Sequence, residues 1–95
     1  MPVYAVTYTY DDREELRMQT RPEHRRFLSG LAEQGVLLAA GAYADQGTPG
    51  GIIVARADSA AEVESALDPD PYRQVGVLVD REVREWGQLI GPWAG

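Results

Sequence analysis

An α+β domain of the split βαβ type, one antiparallel sheet with two helices on one face, is the fold this sequence predicts. Three observations carry it. Residues 3–10 alternate as a strand does. Residues 20–41 read as a capped helix that stops at a glycine and turns straight into an apolar strand. A further strand and helix then precede a last strand beginning at Val77, which gives the order β-α-β-β-α-β.

In residues 3–10, Tyr4, Val6, Tyr8 and Tyr10 face one way and Val3, Ala5, Thr7 and Thr9 the other. Aromatic and β-branched residues at period 2 make a strand. Residues 11–19 are charged and read as a loop or a loose turn of helix. The first helix is expected over residues 20–34. Thr20 and Glu23 have capping-box spacing, Pro22 falls in the first turn, and Gly35 sits where a left-handed stop is wanted. Counted at helical spacing from His24, Phe27, Leu28 and Leu31 share one face, so the chain's single histidine points inward.

Strands are expected over residues 36–43 and 52–57, joined by a glycine- and proline-rich connection over 44–51 wide enough for an open hairpin. Ser59 and Glu62 form a second capping box, opening a helix through Leu67 with Ala60, Val63 and Leu67 inward. Pro69 and Pro71 break that helix, and Asp70 caps one further turn over residues 71–75. The last strand, residues 77–86, carries charges at Asp80, Arg81, Glu82 and Arg84 that suit an edge or a strand end beyond the core. The tail, residues 87–95, holds Leu89, Ile90 and Trp93 and is expected to dock on a partner subunit. Apolar residues on both faces of the two middle strands imply that the far face is covered as well. A symmetry mate packed sheet on sheet would do so.

At 95 residues the chain makes one domain, burying about 65% of its extended surface. A net charge of −6 disfavours nucleic acid and anionic membrane as partners. With no apolar run of spanning length and no signal peptide, the expected location is cytoplasmic. The absent residues narrow the chemistry further. There is no cysteine, hence no thiol nucleophile and no thiolate metal site. All nine basic residues are arginine, so no side chain can form a Schiff base. One histidine builds no multi-histidine metal centre within a chain, and neither a phosphate-cradling glycine loop nor a nucleophile elbow is present. Histidine, carboxylate and tyrosine chemistry remains, with neither metal nor cofactor expected.

His24 is the first candidate, because imidazole is the side chain suited to proton transfer near neutral pH. In the first turn of a helix the dipole would oppose its positive form, while Glu23 or a buried carboxylate would favour it. The competing reading is a core histidine satisfied by a backbone carbonyl. Asp70 is the second candidate, although capping alone explains it and spacing does not place it beside His24. Tyr72 offers a phenol in the same turn, or packing. Arg21 lies near the helix mouth and could orient an anionic ligand, whereas Arg25 and Arg26 turn away and read as solvated charge. Tyr4, Tyr8 and Tyr10 read as sheet-face packing.

Taken together these pieces resemble the YciI-like (YCII-related) family of small bacterial proteins. The resemblance rests on Arg21, Pro22 and His24, then Gly35, Leu37, Leu38 and Gly41, then Asp70, Pro71, Tyr72 and Gly76, and it spans residues 3–83. It implies a ferredoxin-like α+β barrel formed as a homodimer, with a site lined by a histidine–aspartate pair. That pair falls on His24 and Asp70, with Gly41 a close-approach glycine beside the pocket. The same broad superfamily includes muconolactone-isomerase-like and small monooxygenase-like proteins, which implies ring-derived substrates. The chain departs from the family in its short connection over residues 46–51 and in its tail after Trp86.

The expectation is therefore a cofactor-free lyase or isomerase acting on a small organic molecule. His24 would move the proton, Asp70 would fix its tautomer, and Arg21, Gly41 and Tyr72 would hold the substrate. The alternatives are a non-catalytic domain that binds or senses a small ligand, and an assembly domain whose purpose is its interface.

Overall fold

Strand β1 (Val3–Tyr10) runs through the interior of a four-stranded sheet, in the spatial order β2 (Leu37–Ala42), β3 (Gly50–Arg56), β1, β4 (Leu78–Glu85), with every neighbouring pair antiparallel. A computed structural model describes residues 1–94 of the chain. After β1 come α1 (Glu14–Glu33), β2 (Leu37–Ala42), β3 (Gly50–Arg56), α2 (Ala60–Leu67), the short α3 (Pro71–Gln74) and β4 (Leu78–Glu85). This is the split βαβ, ferredoxin-like arrangement that the alternating pattern predicts. Among the described residues, no helix is long and apolar enough to cross a membrane.

Register explains which face is buried. Tyr4, Val6 and Tyr8 pair with Ala55, Ile53 and Gly51 of β3, and directly opposed residues share a face. Tyr4, Val6, Tyr8, Ile53 and Ala55, with Val63 and Leu67 of α2 and Val77, belong to the core beneath the helices. Gly51 must be glycine, since a Cβ there would stand 2.6 Å from the Gly41 carbonyl oxygen. On the opposite face lie Ala5, Thr7, Val54 and Ile52, of which Ile52 is exposed. β4 is an edge strand, as its charges suggest, with Asp80, Glu82 and Arg84 in solvent.

Helix α1 departs from expectation. It begins at Glu14, six residues before the predicted Thr20, and Pro22 lies in its interior. Thr20 is no cap: its hydroxyl donates to the Leu16 carbonyl at 2.9 Å, one turn back. Inward residues continue upstream at helical spacing through Thr20 to Leu16, and Glu14 and Glu15 favour the first turn electrostatically. Packing along that longer stripe outweighs the penalty of an interior proline, about 3 kcal/mol in an isolated helix.

The other local signals act where they were placed. Gly35 adopts φ +82° and ends α1, with the Val36 N–H closing back on the Leu31 carbonyl at 3.0 Å. Ser59 accepts from the Glu62 N–H at 3.2 Å, while the Glu62 carboxylate accepts from Asp58 rather than from Ser59. Of the tail, Leu89 and Trp93 are half-buried and Ile90 is fully exposed; Gly95 lies outside the described residues.

Candidate active site

Three elements converge on one carboxylate. Asp70, at the start of α3, has no solvent exposure. One of its oxygens accepts the Tyr72 backbone N–H at 2.9 Å, as a helix cap does, and stands 2.8 Å from His24 Nδ1 of α1. Its other oxygen accepts the Tyr8 hydroxyl of β1 at 3.0 Å. A buried carboxylate is tolerable only when its oxygens are satisfied, and three donors satisfy this one. The sequence reading of Asp70 as a cap is correct, and the same oxygen also holds the imidazole.

That hydrogen bond fixes the chemistry of the ring. An ionised carboxylate only accepts, so Nδ1 carries the proton and Nε2 is the nitrogen left for other work. Nε2 has no hydrogen-bond partner among the described residues. The imidazole is held flat against Tyr72, with ring centroids 3.8 Å apart and planes 8° from parallel. Tyr10 meets Tyr72 edge-on at 5.2 Å. Burial pushes the phenol of Tyr8 above its ordinary range, and the negative Asp70 adds to that rise. Tyr10 is raised by burial and then by Tyr72.

In front of His24 lies a cleft of about 450 Å³ between α1 and the β2–β3 end of the sheet. Its floor is open because α1 does not cover that end: Ala40 and Ala42 register with Ile53 and Gly51 on the helix side, yet both are exposed. Arg21, Gly41 and Tyr72, read from sequence as substrate-binding, all line the cleft, as does His24. Asp70 does not; it sits behind the imidazole, so a guest would meet Nε2 and not the carboxylate.

Two details differ from the sequence reading. An added Cβ at Gly41 would meet nothing within 4 Å, so no atom of this chain makes the expected close approach; the crowded glycines are Gly50 and Gly51 of β3. Arg25 lines the cleft instead of turning away, because the opening lies beside α1, within reach of a long side chain on its flank. Arg17 and Tyr8 also line the cleft, and local sequence signals mark neither as a site residue. Arg17 stands over the Tyr10 ring at 5.5 Å and donates to the Asp11 carbonyl at 3.2 Å. Its four-residue spacing from Arg21 is present in the sequence, but the charged segment before Thr20 reads as a loop or a loose turn of helix rather than as part of the first helix. Among the described residues, no group of three or more histidine, cysteine, aspartate or glutamate side chains is placed to hold a metal ion.

The family model for the YCII-related domain matches residues 1–87. The chain belongs to the YCII-related family. No curated protein matches the sequence. Among solved structures, this YCII-related chain is similar to the 5-chloro-2-hydroxyhydroquinone dehydrochlorinase TftG of Burkholderia phenoliruptrix AC1100, in complex with 2,5-dihydroxybenzoquinone. The TM-score is 0.77 at 18% identity, over 90% of this chain and 93% of that one. At that identity the likeness is one of fold.

Proposed function

We propose that this YCII-related protein is a lyase or isomerase that works on a small organic molecule by proton transfer through His24, with no cofactor. The observation that carries the reading is the imidazole itself, gripped at Nδ1 by a buried carboxylate while Nε2 is left for the cleft. Nε2 takes a proton from an acidic C–H or O–H of the substrate, and Asp70 stabilises the imidazolium that forms. The released electron pair moves into a neighbouring carbonyl as an enolate, or expels a leaving group from the adjacent carbon. Returning the proton to a different atom of the enolate gives isomerisation. Loss of the leaving group, with the proton passed to it or to water, gives elimination. Tyr72 stacks on the face of the ring, and Tyr72, Arg21 and Gly41 border the bound molecule.

TftG is a dehydrochlorinase, and loss of HCl is an elimination of this kind. Hydroxylated and halogenated quinols and quinones are therefore the first compounds to assay. Acid–base catalysis contributes about 10²–10⁴-fold, so His24→Asn should lose turnover by at least that factor while circular dichroism stays unchanged. Wild-type turnover in that variant rules the reading out. Wild-type protein that binds such compounds but converts none points instead to a binding or sensing domain.

The reading includes a homodimer. Its support is the sheet face turned from the helices, where Ile52 lies exposed beside Val54 and Thr7. The chain's location is proposed to be cytoplasmic, and neither nucleic acid nor membrane is proposed as a partner, in keeping with the net charge of −6.

A further inference from the structure

The cleft reverses the charge of the molecule. The chain carries 15 acidic residues against nine arginines, yet no carboxylate lines the cleft, while Arg17, Arg21 and Arg25 all do. The three stand at i, i+4 and i+8 on α1, where neighbouring Cβ atoms are about 5–6 Å apart and like charges repel. Neither Arg21 nor Arg25 has an acidic residue three or four positions away. Neither has a hydrogen-bond or ion-pair partner among the described residues, whereas Arg13, Arg73 and Arg81 all pair with aspartates. The cations also converge in space. Tyr72, whose phenol burial pushes upward, is drawn back down by Arg21, Arg17 and Arg25, the acidic Asp70 acting the other way.

We infer that the cleft takes its ligand as an anion, a small ring-bearing organic acid whose carboxylate or ionised phenol lies against Arg21 and Arg25 while its reactive atom faces His24 Nε2. Arg17, buried against Tyr10, adds a fixed positive charge to the same wall. The inference rests on the reading of this cleft as the substrate site and names the substrate's charge. Guanidinium groups recognise carboxylates and phenolates through charge-assisted hydrogen bonds, and a narrow site lined by one sign of charge concentrates the opposite one. The same groups would stabilise an enolate as His24 removes a proton, since charge then develops in a field already oriented to receive it. Relief of the repulsion among the stripe is a further gain that only an anion supplies.

The test is binding, not turnover, so it stands apart from the catalytic reading. Benzoate, 4-nitrophenolate at mildly alkaline pH and neutral benzamide are titrated into the 95-residue chain by calorimetry or by NMR of the α1 amides. At least one anion should bind about tenfold or more tightly than benzamide, the scale of one charge-assisted hydrogen bond. That preference should weaken with added salt and vanish in the R21Q/R25Q variant. R25Q alone, at an exposed position, should weaken it in part. Benzoate gaining alone identifies a carboxylate, 4-nitrophenolate alone a phenolate. Equal affinity for benzamide, no binding of either anion, or a preference that survives R21Q/R25Q overturns the inference. H24N should keep the preference even though it loses turnover. Anion binding without catalysis therefore sinks only the proton-transfer reading, and catalysis without anion preference sinks only this one.

Discussion

His24, Asp70 and Tyr8 come from three different elements and share two oxygens. Asp70→Asn keeps the shape but lets the amide present a donor to Nδ1, so the imidazole loses its fixed tautomer. Turnover is expected to fall about 10²–10⁴-fold, with a smaller change in KM, read from steady-state kinetics on whichever substrate the assay finds. Tyr8→Phe removes a hydrogen bond to a charged group and should cost about 1.5–3 kcal/mol of stability, measured by denaturant unfolding. Tyr8 also predicts a pH dependence. Its phenol is raised above the ordinary 10.0 in the folded chain, by burial first and by Asp70 second, so folding favours the protonated form. That stabilisation is complete below the unfolded chain's value and is lost as pH rises beyond it. Melting temperature should accordingly drop above pH 10 in wild type and drop less in Tyr8→Phe. Absorbance at 295 nm should show Tyr8 and Tyr10 ionising only as the fold opens.

At the level of elements, short-range chemistry was legible wherever a signal acts on its own neighbours. Ser59, Gly35 and Asp70 each do what the local sequence implies, because a cap or a left-handed stop involves atoms only a few residues away. Ser59→Ala should cost about 1 kcal/mol, and Gly35→Ala about 1–2 kcal/mol for placing a Cβ at positive φ; chemical denaturation checks both. The start of α1 was not legible. Thr20, Pro22 and Glu23 spell a helix start in isolation, but Leu16 gains packing only once the sheet is beneath it. The four-residue spacing of Arg17, Arg21 and Arg25 acquires meaning only when α1 extends back to Glu14. On the acidic side, the bond from Arg81 holds the Asp68 carboxyl below its usual value and ties the end of α2 to β4. That contribution is present above the unfolded value of 3.8 and fades as pH falls through the lower, folded one.

At the scale of the molecule, the sheet faces two ways and only one is covered by helices. If a second copy covers the other, sedimentation should give a dimer, and Ile52→Glu should shift it towards monomer without changing helix content. Persistent monomer in the wild type would remove the sheet-on-sheet assembly. Alternation in β1, the glycine and proline punctuation and the inward stripe of α1 were enough to determine the order of elements and the fold class, because periodicity is a property of the chain alone. The sequence by itself also nominated His24, Asp70, Arg21 and Tyr72, by residue type and family resemblance. What only the tertiary structure decided is that Asp70 stands behind the imidazole rather than inside the cleft, that Tyr8 joins them, and that Arg25 faces the opening. Those are contacts between residues up to 62 positions apart, and no local spacing encodes them. They exist only because β1, α1 and α3 close on one another around a carboxylate that must be satisfied once it is buried.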